Sequence, residues 1–130
     1  MKKRIIITAS AFGMLAVIAG AFGAHGLEGY LSPKNMEIWR TAVQYQFYHV
    51  FALLYLSKLT RHKTRLIKDC YYLFTFGIIC FSGSLYLLSC RDLLDWHSLS
   101  VIGPLTPIGG LLFIAGWVTL GVAAFRNSLN

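Results

Sequence analysis

The side chains that could do chemistry in this sequence are polar groups set inside or beside apolar stretches. Gln46 and His49 are three residues apart, so they share one face if their segment is a helix. Ser82 and Ser84 lie in a second apolar stretch, and His25 follows a third. Such groups either hydrogen-bond one membrane helix to another or line a functional site. Both interpretations stay open for these five residues.

The composition predicts that these residues lie in a membrane protein. Hydrophobic residues make up 56% of the 130 residues and charged residues 13%, with a mean hydropathy of +0.59. Soluble domains carry about 25% charged residues. The net charge of +7 does not indicate nucleic-acid binding, because the basic residues flank long apolar stretches. The length predicts one domain over residues 1–130.

Four apolar stretches are each close to the length that a membrane helix requires, about 20 residues. They are Ile5–Ala24, Ala42–Leu59, Cys70–Ser89 and Leu105–Phe125. The sequence therefore predicts an all-α polytopic membrane protein, a bundle of four transmembrane helices. The first stretch also resembles a signal peptide, but its length and the further spans favour a retained helix.

An interfacial helical segment is predicted before the second span. Gly23 to Leu31 is rich in glycine and predicts a turn. Ser32 followed by Pro33 is typical of a helix N-cap and first helical position. The amphipathic residues Lys34–Thr41, with Trp39 as an anchor, are predicted to lie at the membrane interface.

The distribution of charge predicts the orientation of the four spans. Both termini and the middle loop share one side of the membrane, which holds nine of the twelve Lys and Arg residues: positions 2, 3, 4, 58, 61, 63, 65, 68 and 126. The other side holds Lys34, Arg40 and Arg91, together with four of the five acidic residues. Positive residues favour the cytoplasmic side. The N- and C-termini are therefore predicted to be cytoplasmic.

The polar residues are predicted to lie at similar depths. With a rise of about 1.5 Å per residue, Gln46 lies ~6 Å and His49 ~10 Å below the outer boundary. Ser82 and Ser84 lie ~8–10 Å below it, and His25 lies at the edge. The sequence predicts a polar pocket in the outer half of the bilayer, lined by these residues. A cavity between the second and third helices would support the pocket, whereas direct hydrogen bonds would support helix packing.

The sequence predicts no catalytic residue, metal site or cofactor. Cys70, Cys80 and Cys90 recur every ten residues, a rise of about 15 Å, which is too far for a disulfide within one helix. The predicted spans contain no Asp or Glu that could complete a catalytic triad. His25 and His49 as axial haem ligands are a weak hypothesis, because no carboxylate orients either ring.

Four motifs resemble a known family. They are Gly20-Ala21-Phe22-Gly23-Ala24-His25-Gly26; Trp39-x-Thr41-x-x-x-Tyr45-Gln46-x-x-His49; Phe81-Ser82-Gly83-Ser84-Leu85-Tyr86; and Thr106-Pro107-Ile108-Gly109-Gly110-x-x-Phe113-x-Ala115-Gly116-Trp117. In this order they resemble the YgdD/YwdK-like family of uncharacterised inner-membrane proteins (DUF423), over nearly the whole chain. The resemblance implies a four-span bundle with a retained first segment. It implies no activity.

Two functions follow from these features. The favoured one is a binding or scaffold protein of the bilayer, which holds a lipid, a small hydrophobic ligand, a membrane-protein partner or a second copy of itself. The alternative is a small transporter or channel that uses His49, the ionisable residue at that depth. An enzyme or haem protein is less favoured.

Overall fold

The structure, a computed structural model, describes residues 1–62, 65–96 and 102–127. Its elements are α1 (Lys2–His25), α2 (Pro33–Leu59), a 3-10 turn (Thr60–His62), α3 (Arg65–Ser89) and α4 (Leu105–Asn127). The predicted all-α fold is confirmed for these residues. Each predicted apolar stretch lies inside one helix. Two helices, α1 and α3, begin earlier than their predicted apolar stretches, because charged residues that end an apolar stretch do not end a helix.

Three of the described helices are long and apolar enough to cross a membrane. They are α1, α3 and the 22 residues of α4 up to Arg126. α2 is the longest helix, with 27 residues, but it is less apolar than the others because its first half carries polar and charged residues. Length and composition therefore support three of the four predicted spans directly.

The start of α2 matches the predicted cap. Ser32 has extended backbone angles and its hydroxyl oxygen accepts from the backbone N–H of Asn35 at 3.2 Å. The helix then continues without a break from Pro33 through the predicted interfacial segment. Trp39 lies inside the protein, where its Nε1–H donates to the carbonyl oxygen of Ala19 at 2.9 Å. An interfacial position for residues 34–41 stays a prediction.

The predicted turn begins later than the glycine pattern indicates. α1 continues through Gly23 to His25, so the prediction that Gly23 starts the turn is wrong. A Cβ atom on Gly23 would lie 2.5 Å from Nε1 of Trp39. Glycine is therefore required here for a close approach between helices. The glycine that turns the chain is Gly29, whose φ of 84° is the left-handed conformation that glycine adopts readily.

Consecutive helices run in opposite directions. Ile5, Leu56, Ile67 and Ala123 belong to one buried cluster, so the start of α1, the end of α2, the start of α3 and the end of α4 lie together. We call this the basic end. At the opposite end, the Asn35 side-chain amide donates to Asp92 at 2.9 Å, which joins the start of α2 to the turn after α3.

The α3–α4 interface is built from glycines that face phenylalanines. A Cβ on Gly77 would lie 2.5 Å from the Phe113 ring, and one on Gly116 would lie 2.6 Å from the Phe74 ring. A Cβ on Gly109 would collide with the backbone nitrogen of Phe81. Close backbone approach is how membrane helices gain contacts, since lipid provides no hydrophobic drive for their association.

α1 packs against α2 through Ala9, Gly13 and Ala16, small residues whose spacing of three and four in the sequence predicts a packing face of the helix. Ala9 and Ala16 are fully buried, and a Cβ on Gly13 would lie 3.5 Å from a methyl group of Val50. Near the basic end, α1 also reaches α3. There, the hydroxyls of Thr8 and Tyr71 are 2.9 Å apart.

Candidate functional site

Gln46 joins three helices. Its side-chain Nε2 donates to the carbonyl oxygen of Phe12 on α1 at 2.7 Å. Its Oε1 accepts from the hydroxyl of Tyr86 on α3, also at 2.7 Å. The side chain is buried, so these two bonds replace the water that an amide would otherwise need. Gln46 therefore links α2 to both of its neighbours.

His49 is held as a neutral imidazole between α2 and α4. Its Nδ1 lies 2.8 Å from the carbonyl oxygen of Tyr45, which accepts only, so Nδ1 carries the proton. Nε1–H of Trp117 donates to its Nε2 at 3.2 Å, which requires Nε2 to be unprotonated. The ring stacks on Phe113 with centroids 3.5 Å apart and an interplanar angle of 6°. Both nitrogens are thus engaged within the protein.

The two predicted serines also make contacts between helices. Ser82 is fully buried and donates to the carbonyl oxygen of Ala42 on α2 at 2.8 Å. The Ser84 hydroxyl donates to the Phe81 carbonyl oxygen in its own helix at 3.0 Å and lies 2.6 Å from the hydroxyl of Thr106 on α4. Ser82 therefore joins α3 to α2, and Ser84 joins α3 to α4.

His25 stands apart from the other four predicted residues. It is the last residue of α1 and is exposed. Gln46, His49, Ser82 and Ser84 all lie between helices, but they point to different neighbours. Direct hydrogen bonds are the outcome that favours a packing function. Ligand binding by this set of five stays a prediction.

A cleft of about 430 Å³ lies between α1 and α3, with α2 as its floor. The prediction located a pocket between the second and third helices instead. α1 contributes one wall: Phe12, Leu15, Ile18, Ala19 and Phe22. α3 contributes the other: Ile78, Ile79, Gly83 and Tyr86. Trp39 and Gln46 form the floor, so Gln46 is the predicted site residue that lines the cleft.

The cleft opens where α1 and α3 diverge. The two helices are joined near the basic end by the Thr8–Tyr71 hydroxyl contact, and the cleft begins one turn further along α1, at Phe12. From there it extends toward the opposite end, as far as Phe22 and Tyr86.

The polar groups on the floor are already engaged. The indole N–H of Trp39 is bonded to Ala19, and both polar atoms of the Gln46 amide are bonded to neighbouring helices. The Tyr86 hydroxyl donates to Gln46, and its ring lies against that of Trp39 with centroids 4.7 Å apart. The cleft therefore has an almost entirely carbon surface, and each polar side-chain atom in it already makes one hydrogen bond within the protein.

Sequence analysis missed the cleft because its walls look like ordinary lipid-facing residues. Leu15 and Ile18 are as apolar as any residue on the outside of a span. Trp39 and Tyr86 did carry a signal, since each belongs to one of the four motifs. Gly83 also belongs to one of these motifs, and only the structure shows that a Cβ there would have no atom within 4 Å, so this glycine is not required for packing.

The described residues contain no group of three or more His, Cys, Asp or Glu side chains that could hold a metal ion. Cys70, Cys80 and Cys90 are free thiols, which agrees with the spacing argument. Neither nitrogen of His49 is available to a haem iron or another metal while it bonds to Tyr45 and Trp117.

Comparison with known proteins assigns the chain to a family. The model of the family described as "Protein of unknown function (DUF423)" matches residues 19–110. The UPF0382 membrane protein SH2409 of Staphylococcus haemolyticus (strain JCSC1435) is 41% identical over 124 residues, 95% of this chain and 97% of the relative. The UPF0382 membrane protein YwdK of Bacillus subtilis (strain 168) is 39% identical over 126 residues, 95% of this chain and 98% of the relative.

A third relative agrees with these two. The UPF0382 membrane protein SERP0230 of Staphylococcus epidermidis (strain RP62A) is 43% identical over 124 residues, 95% of this chain and 97% of the relative. No solved structure matches the chain. The family match covers most of the chain, and the relatives are matched over nearly their whole length. The chain therefore belongs to the DUF423 (UPF0382) family of membrane proteins.

Proposed function

We propose that this protein is a four-span inner-membrane protein that binds the hydrocarbon chain of a membrane lipid in the α1–α3 cleft. The observation that carries the proposal is the cleft itself: a cavity of about 430 Å³, open to the side of the bundle and lined almost entirely by carbon. Ligand sites in proteins are typically clefts of about 300–1,000 Å³ with mostly apolar walls.

The direction of the helices supports α2 as the fourth span. α1 and α3 both start at the basic end, and both are long and apolar enough to cross a membrane. A chain that leaves α1 at the opposite end must return before α3 begins, and α2 makes that return. Its polar residues Gln46 and His49 face neighbouring helices, while Tyr48, Phe51 and Tyr55 are on its exposed side.

The charge distribution supports cytoplasmic termini. Eight Lys and Arg residues of the described chain flank the spans at the basic end, against three at the other. By the positive-inside rule, the basic end faces the cytoplasm. The cleft extends away from the basic end, so in this orientation it lies in the outer half of the bilayer. That is the depth predicted for the polar pocket, although the walls of the cleft are apolar.

The state of the floor favours an apolar occupant. A ligand recognised by its polar groups would need free donors or acceptors, and the Trp39, Gln46 and Tyr86 side chains already have partners within the protein. A hydrocarbon chain needs none. It gains contact with the walls and with the aromatic rings of Trp39 and Tyr86.

The transporter alternative depends on His49, and its geometry does not favour proton transfer. A second proton would have to enter at Nε2, where the Trp117 N–H already points. Two donors would then face each other, and the contact would break. Proton coupling at His49 would thus require α2 and α4 to separate locally, against the stacking of His49 on Phe113.

Filling the cleft tests the proposal. Gly83 lies in one wall, and a Cβ there meets open space, so Gly83→Leu should occupy the cleft without disturbing the helices. Gly121→Leu is the matched control, because Gly121 on α4 is exposed and also has no atom within 4 Å of a Cβ. Native mass spectrometry of protein extracted with its own lipids would count the bound molecules.

We expect a lipid adduct on the wild type and on Gly121→Leu that is lost from Gly83→Leu. An adduct that survives in Gly83→Leu would exclude the cleft as its site. No lipid adduct on the wild type, with a protein partner or a second copy bound instead, would replace the proposal with a scaffold function.

A further inference from the structure

The basic end of the protein carries charge that its own acidic residues do not neutralise. Eight exposed cations of the described chain lie there: Lys2, Lys3, Arg4, Lys58, Arg61, Arg65, Lys68 and Arg126. Asp69 is the one acidic residue described at this end. This surplus of positive charge is concentrated at one end of the protein, because the cations lie at the ends of all four helices.

The opposite end is neutralised internally. The two ion pairs in the described part of the chain are Arg40–Glu37 at 3.7 Å and Arg91–Asp92 at 3.8 Å, and both lie at that end. No cation of the basic end is within ion-pair distance of a described carboxylate. The described carboxylates therefore leave the described cations of the basic end without an ion-pair partner.

Three of these cations belong to the parts of α1 and α3 that are in contact at this end. Arg65, Lys68 and Tyr72 are spaced i, i+3 and i+7, so they share one face of α3. The Arg4 guanidinium donates to the Tyr72 hydroxyl at 3.4 Å, which holds α1 against that face. A guanidinium has five N–H donors, so Arg4 retains others for a second acceptor.

We propose that Arg4, Arg65 and Lys68 bind the phosphate headgroup of an anionic phospholipid at the basic end. The junction offers guanidinium groups that can bind phosphate oxygens in pairs, and an ammonium group beside them. It also lies at the end of the spans, where headgroup phosphates lie in a bilayer. Clusters of four to eight Lys and Arg beside a membrane helix are typical of anionic-lipid binding, and this end carries eight.

This headgroup site is separate from the proposed hydrocarbon-chain site. The cleft begins at Phe12, beyond the Thr8–Tyr71 contact, and extends away from the basic end. Either site can exist without the other. The Gly83→Leu variant should lose the cleft adduct and keep the headgroup preference, so failure of one proposal is distinguishable from failure of the other.

The test is lipid preference in native mass spectrometry. The protein is exchanged into equal amounts of phosphatidylglycerol and phosphatidylcholine, and the adducts of each are counted. Arg65→Gln with Lys68→Gln removes two cations of the junction. Lys58→Gln with Arg126→Gln is the matched control, because it removes two exposed cations of the same end from α2 and α4.

We expect the wild type and the control to retain phosphatidylglycerol in preference. The junction variant should lose about 25-fold of that preference, because it removes two cations that each contribute about fivefold. An equal loss in both variants would mean that diffuse charge, rather than this cluster, attracts the lipid. No preference in the wild type would overturn the proposal outright. Displacement of the lipid by excess inorganic phosphate would assign the cluster to free phosphate instead.

Discussion

The α3–α4 interface and the α1–α3 cleft use glycine in opposite ways. At the interface, a phenylalanine of the facing helix occupies the space where a side chain would lie at Gly77, Gly109 and Gly116. At the cleft, Gly83 faces empty space, and the aromatic residues Trp39, in the floor, and Tyr86, in a wall, line the opening and do not fill it. Both regions lie within apolar helices. The difference teaches that a glycine in a membrane helix indicates either a contact or an opening, and that composition alone does not distinguish them.

The polar residues follow the same division. His49, Ser82 and Ser84 belong to the packed side, because each is hydrogen-bonded between or within helices away from the cleft. Gln46 belongs to both regions, since it lines the cleft and also hydrogen-bonds α2 to α1 and α3. Substitutions should therefore separate into two classes: those that weaken the fold and those that change what the cleft holds.

The largest effect on stability should come from Gly109→Ala. Its new Cβ would collide with the Phe81 backbone, which cannot move aside as a side chain could. We expect the free energy of unfolding to fall by about 3 kcal/mol, the upper part of the range for overpacking. Reversible unfolding in mixed detergent micelles measures this loss. Gly83→Ala on the neighbouring helix is the control and should be neutral; similar losses in both would remove the distinction between the regions.

His49→Ala should have the next largest effect. The substitution removes a ring stacked on Phe113 and the acceptor of the Trp117 N–H. We expect a loss of about 2 kcal/mol in the free energy of unfolding, from the cavity and the lost hydrogen bond together. The lipid adduct should remain. His25→Ala is the control, because it changes an exposed histidine and should leave stability unaltered. Loss of the lipid adduct in His49→Ala would show instead that His49 takes part in lipid binding.

Gln46→Leu should be milder, because leucine keeps most of the side-chain volume. Two hydrogen bonds between helices are lost, and bonds of this kind contribute on average about 0.6 and at most about 1.7 kcal/mol each. We therefore expect a loss of about 1.5 kcal/mol with the lipid adduct retained. Gln44→Leu is the matched control on the exposed side of the same helix. An adduct that requires the Gln46 amide would show that the occupant is recognised by a polar group.

The smallest effect, with the opposite sign, is expected for Gly83→Leu in protein stripped of lipid. Leucine favours helix over glycine by up to about 0.8 kcal/mol, and a Cβ at position 83 has no atom within 4 Å. The free energy of unfolding should stay the same or rise slightly. Reversible unfolding in mixed detergent micelles measures this change in stability. A clear loss of stability would mean that α1 closes on α3 when the cleft is empty.

Much of the fold could be predicted from local signals. The four apolar stretches predicted four helices, Ser32 and Pro33 predicted where α2 begins, and the spacing of Ala9, Gly13 and Ala16 predicted a packing face on α1. These signals work because capping and close approach depend on residues near in sequence or on small side chains. Gly23 shows their limit. It looked like part of a turn, and only the position of Trp39 shows that it makes room for an indole ring.

The candidate site could be predicted only in part. The sequence selected Gln46, His49, Ser82 and Ser84 because polar groups in hydrocarbon need partners, and each has them. It could not name the partners, because Phe12 and Ala42 accept through backbone carbonyl oxygens that every residue possesses. A backbone acceptor leaves no trace in the amino-acid sequence.

By itself, the sequence determined that the chain is a helical membrane protein, which residues form its helices, and which end carries the positive charge. Hydropathy and charge depend on residue type alone, so one chain is enough to establish them. Only the tertiary structure decided that α1 meets α3 near the basic end and diverges from it beyond Phe12. Leu15 and Ile18 are the same apolar residues in the sequence whether their side chains face lipid, lie in a core or line a cleft. The difference is made by the neighbouring helix, and its distance is a property of the packed molecule.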